Sequence, residues 1–255
     1  MPAYFLRSIC LFLLLGLVPA GAAMAAGEVS VTSSPGDILM DARYDGTTLE
    51  VSGQAPAGSD VVVRLVGAPE TVHLREKGKV FGLLWMNVGT LAFDNVPRIY
   101  LVSASRAFDD LGPAGASLRV TGLHDRIVQE HAASSQDLDA VSELLRLKVR
   151  DGLYGEPAQQ VRLSADEGGS RGFTVTLPVP SALSPGGYTL EAVAVRDGAV
   201  IGSASAPVQA KLIGLPAWLS HMAFDNGLLY GILATVIAIL SGLAIGLVFQ
   251  SKGAH

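Results

Sequence analysis

The chain has 255 residues, 49% of them hydrophobic and 16% charged, with a formal net charge of −5 at pH 7. That balance, with no basic stripe anywhere, excludes a nucleic-acid binder built on phosphate contacts. A single cysteine, Cys10, excludes a disulfide framework, and the high glycine content fits a β-rich chain better than a disordered one.

The first 25 residues read as a secretory signal. Arg7 supplies the positive charge, "ICLFLLLGLV" (Ile9 to Val18) the apolar stretch, and Ala23-Met24-Ala25 the small-x-small site, with cleavage expected after Ala25. The apolar stretch is short for a span, which takes about 20 residues. "RSIC" lacks the small residue that a lipoprotein signal places before its cysteine. Cys10 is expected to leave with this leader. Losing Arg7 takes the formal charge from −5 to −6.

Residues 26–105 form the first expected domain. "EVSVTSS", "TTLEVSGQAPAGSDVVVRLVGAP" and "TVHLREKGKV" alternate or run apolar between Gly/Pro turns, the pattern of an immunoglobulin-like antiparallel sandwich. "KVFGLLWMNVGTLAF" is too short to span a membrane. Gly82 and Gly89 count against a helix, so it reads as strands crossing a core. Trp85 is then the expected core anchor, its indole N–H needing a buried partner. The alternative is a ligand pocket floored by Trp85.

Residues 106–153 are expected to be a linker and an amphipathic helix. The stretch 106–135 is ambiguous, broken early by Pro113 and Gly115. Ser135 to Gly152 is the clearest soluble helix. Leu138, Val141, Leu144, Leu145 and Val149 form one stripe, Ser134 or Ser135 a cap, and Gly152 a stop. A second β-unit follows over 154–213, with "VRDGAV" marking a hairpin through Asp197-Gly198 and "GGSRG" another turn. About 60 residues make a small sandwich, one with room to share its core with the helix or the first domain.

"GLPAWLSHMAFDNG" (214–227) reads as an interfacial segment anchored by Trp218 and Phe224, or else as a linker packed on the second β-unit. Leu228 to Phe249 then runs 22 residues without a charge, about 33 Å of helix against a hydrocarbon core of about 30 Å. Residues 250–255 are left as a tail. Ala234, Ala238, Gly242 and Gly246 recur every four residues, the spacing by which small side chains let membrane helices approach. They mark the expected contact with an integral membrane partner or a second copy of the chain.

Chemistry is not legible. The five histidines are scattered, and His124 and His131, seven apart, are about 10 Å from each other on a helix. No nucleophile elbow, phosphate loop or dinucleotide fingerprint occurs in the soluble part. No catalytic, cofactor-binding or metal-binding residue is expected, and no enzyme activity.

"KGKVFGLLWMN", "ELLRLKVRDGLYGE", "LPVPSALSPGGYTLEAVAVRDGAVI" and "GLLYGILATVIAILSGLAIGLVF" together resemble a family of transmembrane proteins first described in alphaproteobacteria. The resemblance implies a signal, a β-rich ectodomain and one C-terminal helix, but no activity and no functional residues. It also implies a neighbour, since members are often encoded near TauE/SafE-type anion exporters. The expected fold class is mainly β: two sandwich units with an intervening helix, and one transmembrane helix. The expected protein is a single-pass accessory subunit of the bacterial inner membrane, in contact with the lipid bilayer, its ectodomain periplasmic and its C-terminus cytoplasmic. A ligand-binding or sensor module around Trp85 is the alternative.

Overall fold

Period-two alternation organises most of the chain into strands. A helical period takes over only between 112 and 150 and again after 213. The structure, a computed structural model, describes residues 28–81, 83–131, 135–158 and 160–250. The expected leader with Cys10, residues 251–255 of the tail, Gly82, Ser134 and the side chain of Leu138 lie outside the described residues.

Seven strands come first: β1 (Ser30–Ser34), β2 (Asp37–Met40), β3 (Thr47–Pro56), β4 (Asp60–Gly67), β5 (Pro69–Val80), β6 (Leu84–Pro97) and β7 (Tyr100–Ala104). Helices α1 (Gly112–Leu118), α2 (Val120–His131) and α3 (Ser135–Arg150) follow. Then come β8 (Tyr154–Gly155), β9 (Arg162–Glu167), β10 (Ser170–Val179), β11 (Gly186–Arg196), β12 (Ala199–Leu212), α4 (Gly214–Asp225) and α5 (Gly227–Gln250). The class is mainly β, as the alternation implies.

The division into separate units at 26–105 and 154–213 does not hold. A sheet ordered β1-β3-β10-β9 packs on a sheet ordered β2-β12-β11-β4-β7-β8, and both draw strands from both segments. β10 pairs with β3 from Ser170 opposite Pro56 to Val179 opposite Thr47, and β11 pairs with β4 from Tyr188 opposite Gly67 to Val195 opposite Asp60. The composition of β4 supplies a reason. "DVVVRLVG" is apolar on both faces, so it needs cover on both. Val61, Val63 and Leu65 enter the sandwich interior, while Val62 faces the helices. β11 does the same, with Leu190, Ala192 and Ala194 inside and Val193 and Val195 outside.

The helices form a third layer over the six-stranded sheet. Leu123 and Ile127 of α2 and Val141, Leu144 and Leu145 of α3 share a cluster with Tyr100, Val102 and Val193. α3 is the helix that the stripe from Val141 to Leu145 predicts, but Val149 is half exposed. Gly152 sits at φ +71 just past its end, where its N–H and that of Leu153 close the last carbonyls.

Beyond the sheet, the β4–β7 ladder continues as a long arm. Gly67 N–H donates to the Ile99 carbonyl and Arg98 N–H to the Ala68 carbonyl, then β5 and β6 pair from Pro69 opposite Pro97 to Val80 opposite Leu84. Twelve residues of strand reach about 40 Å. The root half of this arm is held by the helices: Phe93 and Val96 are buried, and Val72, Leu74 and Leu91 pack against the same cluster.

Candidate membrane-facing site

β12 delivers the chain to the membrane helix with little slack. Leu212 is paired with Met40, Ile213 N–H donates to the Met40 carbonyl, and Gly214 opens α4 at once. α4 ends at Asn226, whose N–H donates to the Met222 carbonyl, and α5 begins at Gly227. α4 buries none of its residues. Trp218 is 51% exposed and Phe224 87%, so neither is packed away on the sandwich as a linker contact would be. Trp218 instead lines a cleft of about 440 Å³ in the elbow between α4 and α5, with Met222 and Leu229. His221 Nδ1 faces the Asp225 carboxylate one turn along α4.

α5 is the one helix among the described residues long and apolar enough to cross a bilayer: Gly227 to Leu247 has a mean hydropathy of 2.4 and no residue buried inside the protein. Its one threonine is satisfied within the helix, Thr235 Oγ1 donating to the Gly231 carbonyl at 2.8 Å. Ala234, Ala238, Gly242 and Gly246 are all exposed. A Cβ added at Gly242 or Gly246 would meet nothing of this chain, so any helix packed there comes from another molecule.

Trp85 is not a core anchor. It is 68% exposed, on the outer half of the arm, with Lys79 Nζ 5.3 Å from its ring centroid. The core positions of this segment are Phe93 and Val96. Among the described residues, the apolar cluster shared with the helices takes in Leu74 and Leu91 of the arm and none of the apolar residues farther out. A cleft of about 510 Å³ at the junction of arm and α3, between Leu74, Leu91, Ala140 and Glu143, is not lined by Trp85. Around it Phe81 is 92% exposed and Leu83 85%, and Leu84, Met86 and Val88 are exposed as well. These neighbours escape a reading that takes apolar runs for core. The sign was the loss of alternation between Val80 and Val88, where a strand with one buried face would keep it.

The arm and the membrane helix leave the sandwich from the same end. β4 and β12 flank β11 and run antiparallel to it, and Tyr188 of β11 stands opposite Gly67 on one side and Val208 on the other. Two strand spacings, about 10 Å, separate them. Past Gly67 the chain enters the arm; past Val208 it runs four residues to Leu212 and then into α4.

The remaining polar groups brace the fold. Arg64 Nε lies 2.6 Å from Glu191 Oε2 under α2. Burial works against its charge, but Tyr100 and Glu191 hold the guanidinium above its ordinary pKa. Tyr154 O–H donates to the Pro97 carbonyl at 2.6 Å. Burial, then Glu70 and Tyr100, pushes this phenol well above its ordinary value. On the four-stranded sheet, a trough of about 610 Å³ is lined by residues that include Glu50, Gln160, Arg162, Thr174 and Thr176, with no histidine or cysteine. Among the described residues, no group of three or more His, Cys, Asp or Glu side chains could hold a metal ion.

The sequence profile of the family described as "Putative transmembrane protein (Alph_Pro_TM)" matches residues 28–251. No curated protein matches the chain. Among solved structures, that of murine CRIg is similar over 74% of this chain and 100% of its own, at 9% identity and a TM-score of 0.26, too distant to bear on fold or function.

Proposed function

The chain belongs to that transmembrane family, and on this premise we propose that it is an accessory subunit rather than an enzyme. It is held in the bacterial inner membrane by α5, with a periplasmic ectodomain and a cytoplasmic C-terminus, against an integral membrane partner. The observation that carries this reading is the junction. A domain that needed only tethering would be served by a flexible linker. Here the sheet ladder ends at Leu212, Ile213 is bonded to Met40, and α4 starts at Gly214. Such a connection holds the ectodomain at a set orientation over whatever lies beside α5. Trp218 and Phe224 rest at the lipid interface and fix the angle of the elbow.

The partner meets α5 along Ala234, Ala238, Gly242 and Gly246, where small residues admit another backbone. The family resemblance points to an anion exporter as the partner, and a second copy of the chain is the other occupant. The test is purification in mild detergent with identification of co-eluting proteins. Gly242→Ile with Gly246→Ile keeps the span apolar, so membrane yield is retained while the partner is lost. Val236→Leu with Leu243→Ile is the control. If the double isoleucine variant keeps its partner as well as the control does, α5 is not the contact.

A further inference from the structure

The arm tip is apolar, uncovered and built on the membrane side of the domain. From Val80 to Phe93 the sequence carries no charge, and Phe81, Leu83, Leu84, Trp85, Met86 and Val88 are all exposed at its end. Water is a poor setting for six such side chains in one place. Phe81 also sits at φ +53, a left-handed conformation unusual for an aromatic residue.

Behind the tip the charge changes sign. Between residues 71 and 93 the arm carries Arg75, Lys77 and Lys79 against Glu76 alone, in a chain whose net charge is −5. Arg75, Lys77 and Lys79 alternate along β5, so they share one face. Lys79 and Trp85 stand opposite each other across the ladder. Their order is an apolar end, then an indole, then cations, which matches the depth profile of a bilayer: acyl chains, interface, anionic headgroups. The arm is rooted about 10 Å from the strand that leads to α5 and at the same end of the sheet. The bilayer that α5 spans is therefore its standing neighbour.

We propose that Phe81, Leu83, Leu84, Trp85, Met86 and Val88 dip into the outer leaflet of that bilayer, with Lys77 and Lys79 on anionic headgroups. The membrane then holds the domain at two points, α5 and the arm tip. This needs the span but not the protein partner proposed above.

The test uses the full chain reconstituted in vesicles of phosphatidylcholine, with or without phosphatidylglycerol, part of the lipid carrying bromine near the headgroup end of its acyl chains. In a Trp218→Phe background the emission comes from Trp85 alone. The expected result is a blue shift relative to the detergent-solubilised chain and loss of most emission with brominated lipid. Both should be stronger with phosphatidylglycerol, and Lys77→Gln with Lys79→Gln should remove that enhancement. If Trp218→Phe does not reconstitute, the difference between wild type and Trp85→Phe reads the same quantity. Trp85 emission that stays red-shifted and unquenched in both lipid mixtures overturns the proposal. It would leave a protein surface as the occupant of the tip. Quenching that is complete in phosphatidylcholine and indifferent to the lysine changes overturns the headgroup contact.

Discussion

Lys148 Nζ lies 2.9 Å from Glu70 Oε1 and ties the end of α3 to the root of the arm. Arg98 Nε stands 3.2 Å from the other oxygen of the same carboxylate. Glu70 thus answers two cations, and Lys148, only 11% exposed, also has the Arg98 carbonyl at 3.5 Å and the Tyr154 ring 5.9 Å away. Removing Glu70 takes the carboxylate from both cations and leaves Lys148 with the long contact to the Arg98 carbonyl; removing Lys148 leaves Glu70 its arginine. Glu70→Gln is therefore expected to cost about 1.5–3 kcal/mol, more than Lys148→Met, which keeps its aliphatic packing. Thermal unfolding of the detergent-solubilised chain gives the order, and the reverse order would show that the lysine's packing matters more than the carboxylate.

Tyr154 sets a pH dependence on the alkaline side. Its folded pKa is raised, chiefly by burial, and the neutral phenol is the form that donates to Pro97. A group whose folded pKa lies above its unfolded value stabilises fully below the unfolded value, here about 10, and loses that contribution as pH rises beyond it. Tyr44 and Tyr188 are raised as well, again mainly by burial, and act with the same sign. Stability is expected to fall above about pH 10. Tyr154→Phe should lose about 1 kcal/mol at neutral pH with its hydrogen bond and show a shallower alkaline fall. Parallel alkaline slopes for the two proteins would exclude Tyr154 as a source.

Along the arm, burial decides what a truncation costs. Trp85→Ala should change stability by no more than about 0.5 kcal/mol, as exposed substitutions do. Phe93→Ala, eight positions further on and 2% exposed, should cost about 3–5 kcal/mol. Melting both variants in detergent separates them. Equal losses would mean that the tip is covered by protein even in the purified chain.

Local features are legible in the sequence. Asp197 and Gly198 take φ +51 and +77, the left-handed pair that an Asp-Gly hairpin turn requires, and the stripe from Val141 to Leu145 is the buried face of α3. Partnership between distant strands is another matter. Thr47 and Val179 are paired across the sheet, yet alternation in either strand says only that one face is buried, not by what. The same gap misplaces Trp85: its exposure depends on how far α2 and α3 extend beside the arm. The start of the helical layer is obscured in the sequence by Pro113 and Gly115, of which Pro113 lies in the first turn of α1, where a missing N–H costs little.

Orientation is open to a direct measurement. A reporter active only in the periplasm should work when fused after Lys211, ahead of α4, and fail when fused after His255. Activity at both junctions would rule out α5 as a span with its C-terminus inside.

Gly53 and Phe173 show why the two β segments form one unit. They stand directly opposite each other in the β3–β10 ladder, and a side chain at Gly53 would run into the Phe173 ring and the Ser30 carbonyl. The ring lies where the glycine leaves the sheet bare, an aromatic covering a glycine on the neighbouring strand. Phe173 is buried in the same cluster as Leu49, Val51 and Leu65, all from the earlier segment. Phe173→Ala should therefore cost about 3–5 kcal/mol. Gly53→Ala should also destabilise, because the Ser30 carbonyl is backbone and cannot turn aside. A chain ending after Ser105 keeps β3 and β4 but loses β10 and β11, leaving the strands of Val51, Val63 and Leu65 without the neighbours that pair with them along one edge. It is expected to show no protected amides in hydrogen exchange. Slow exchange in β3 and β4 of that fragment would mean that the first segment is a domain by itself.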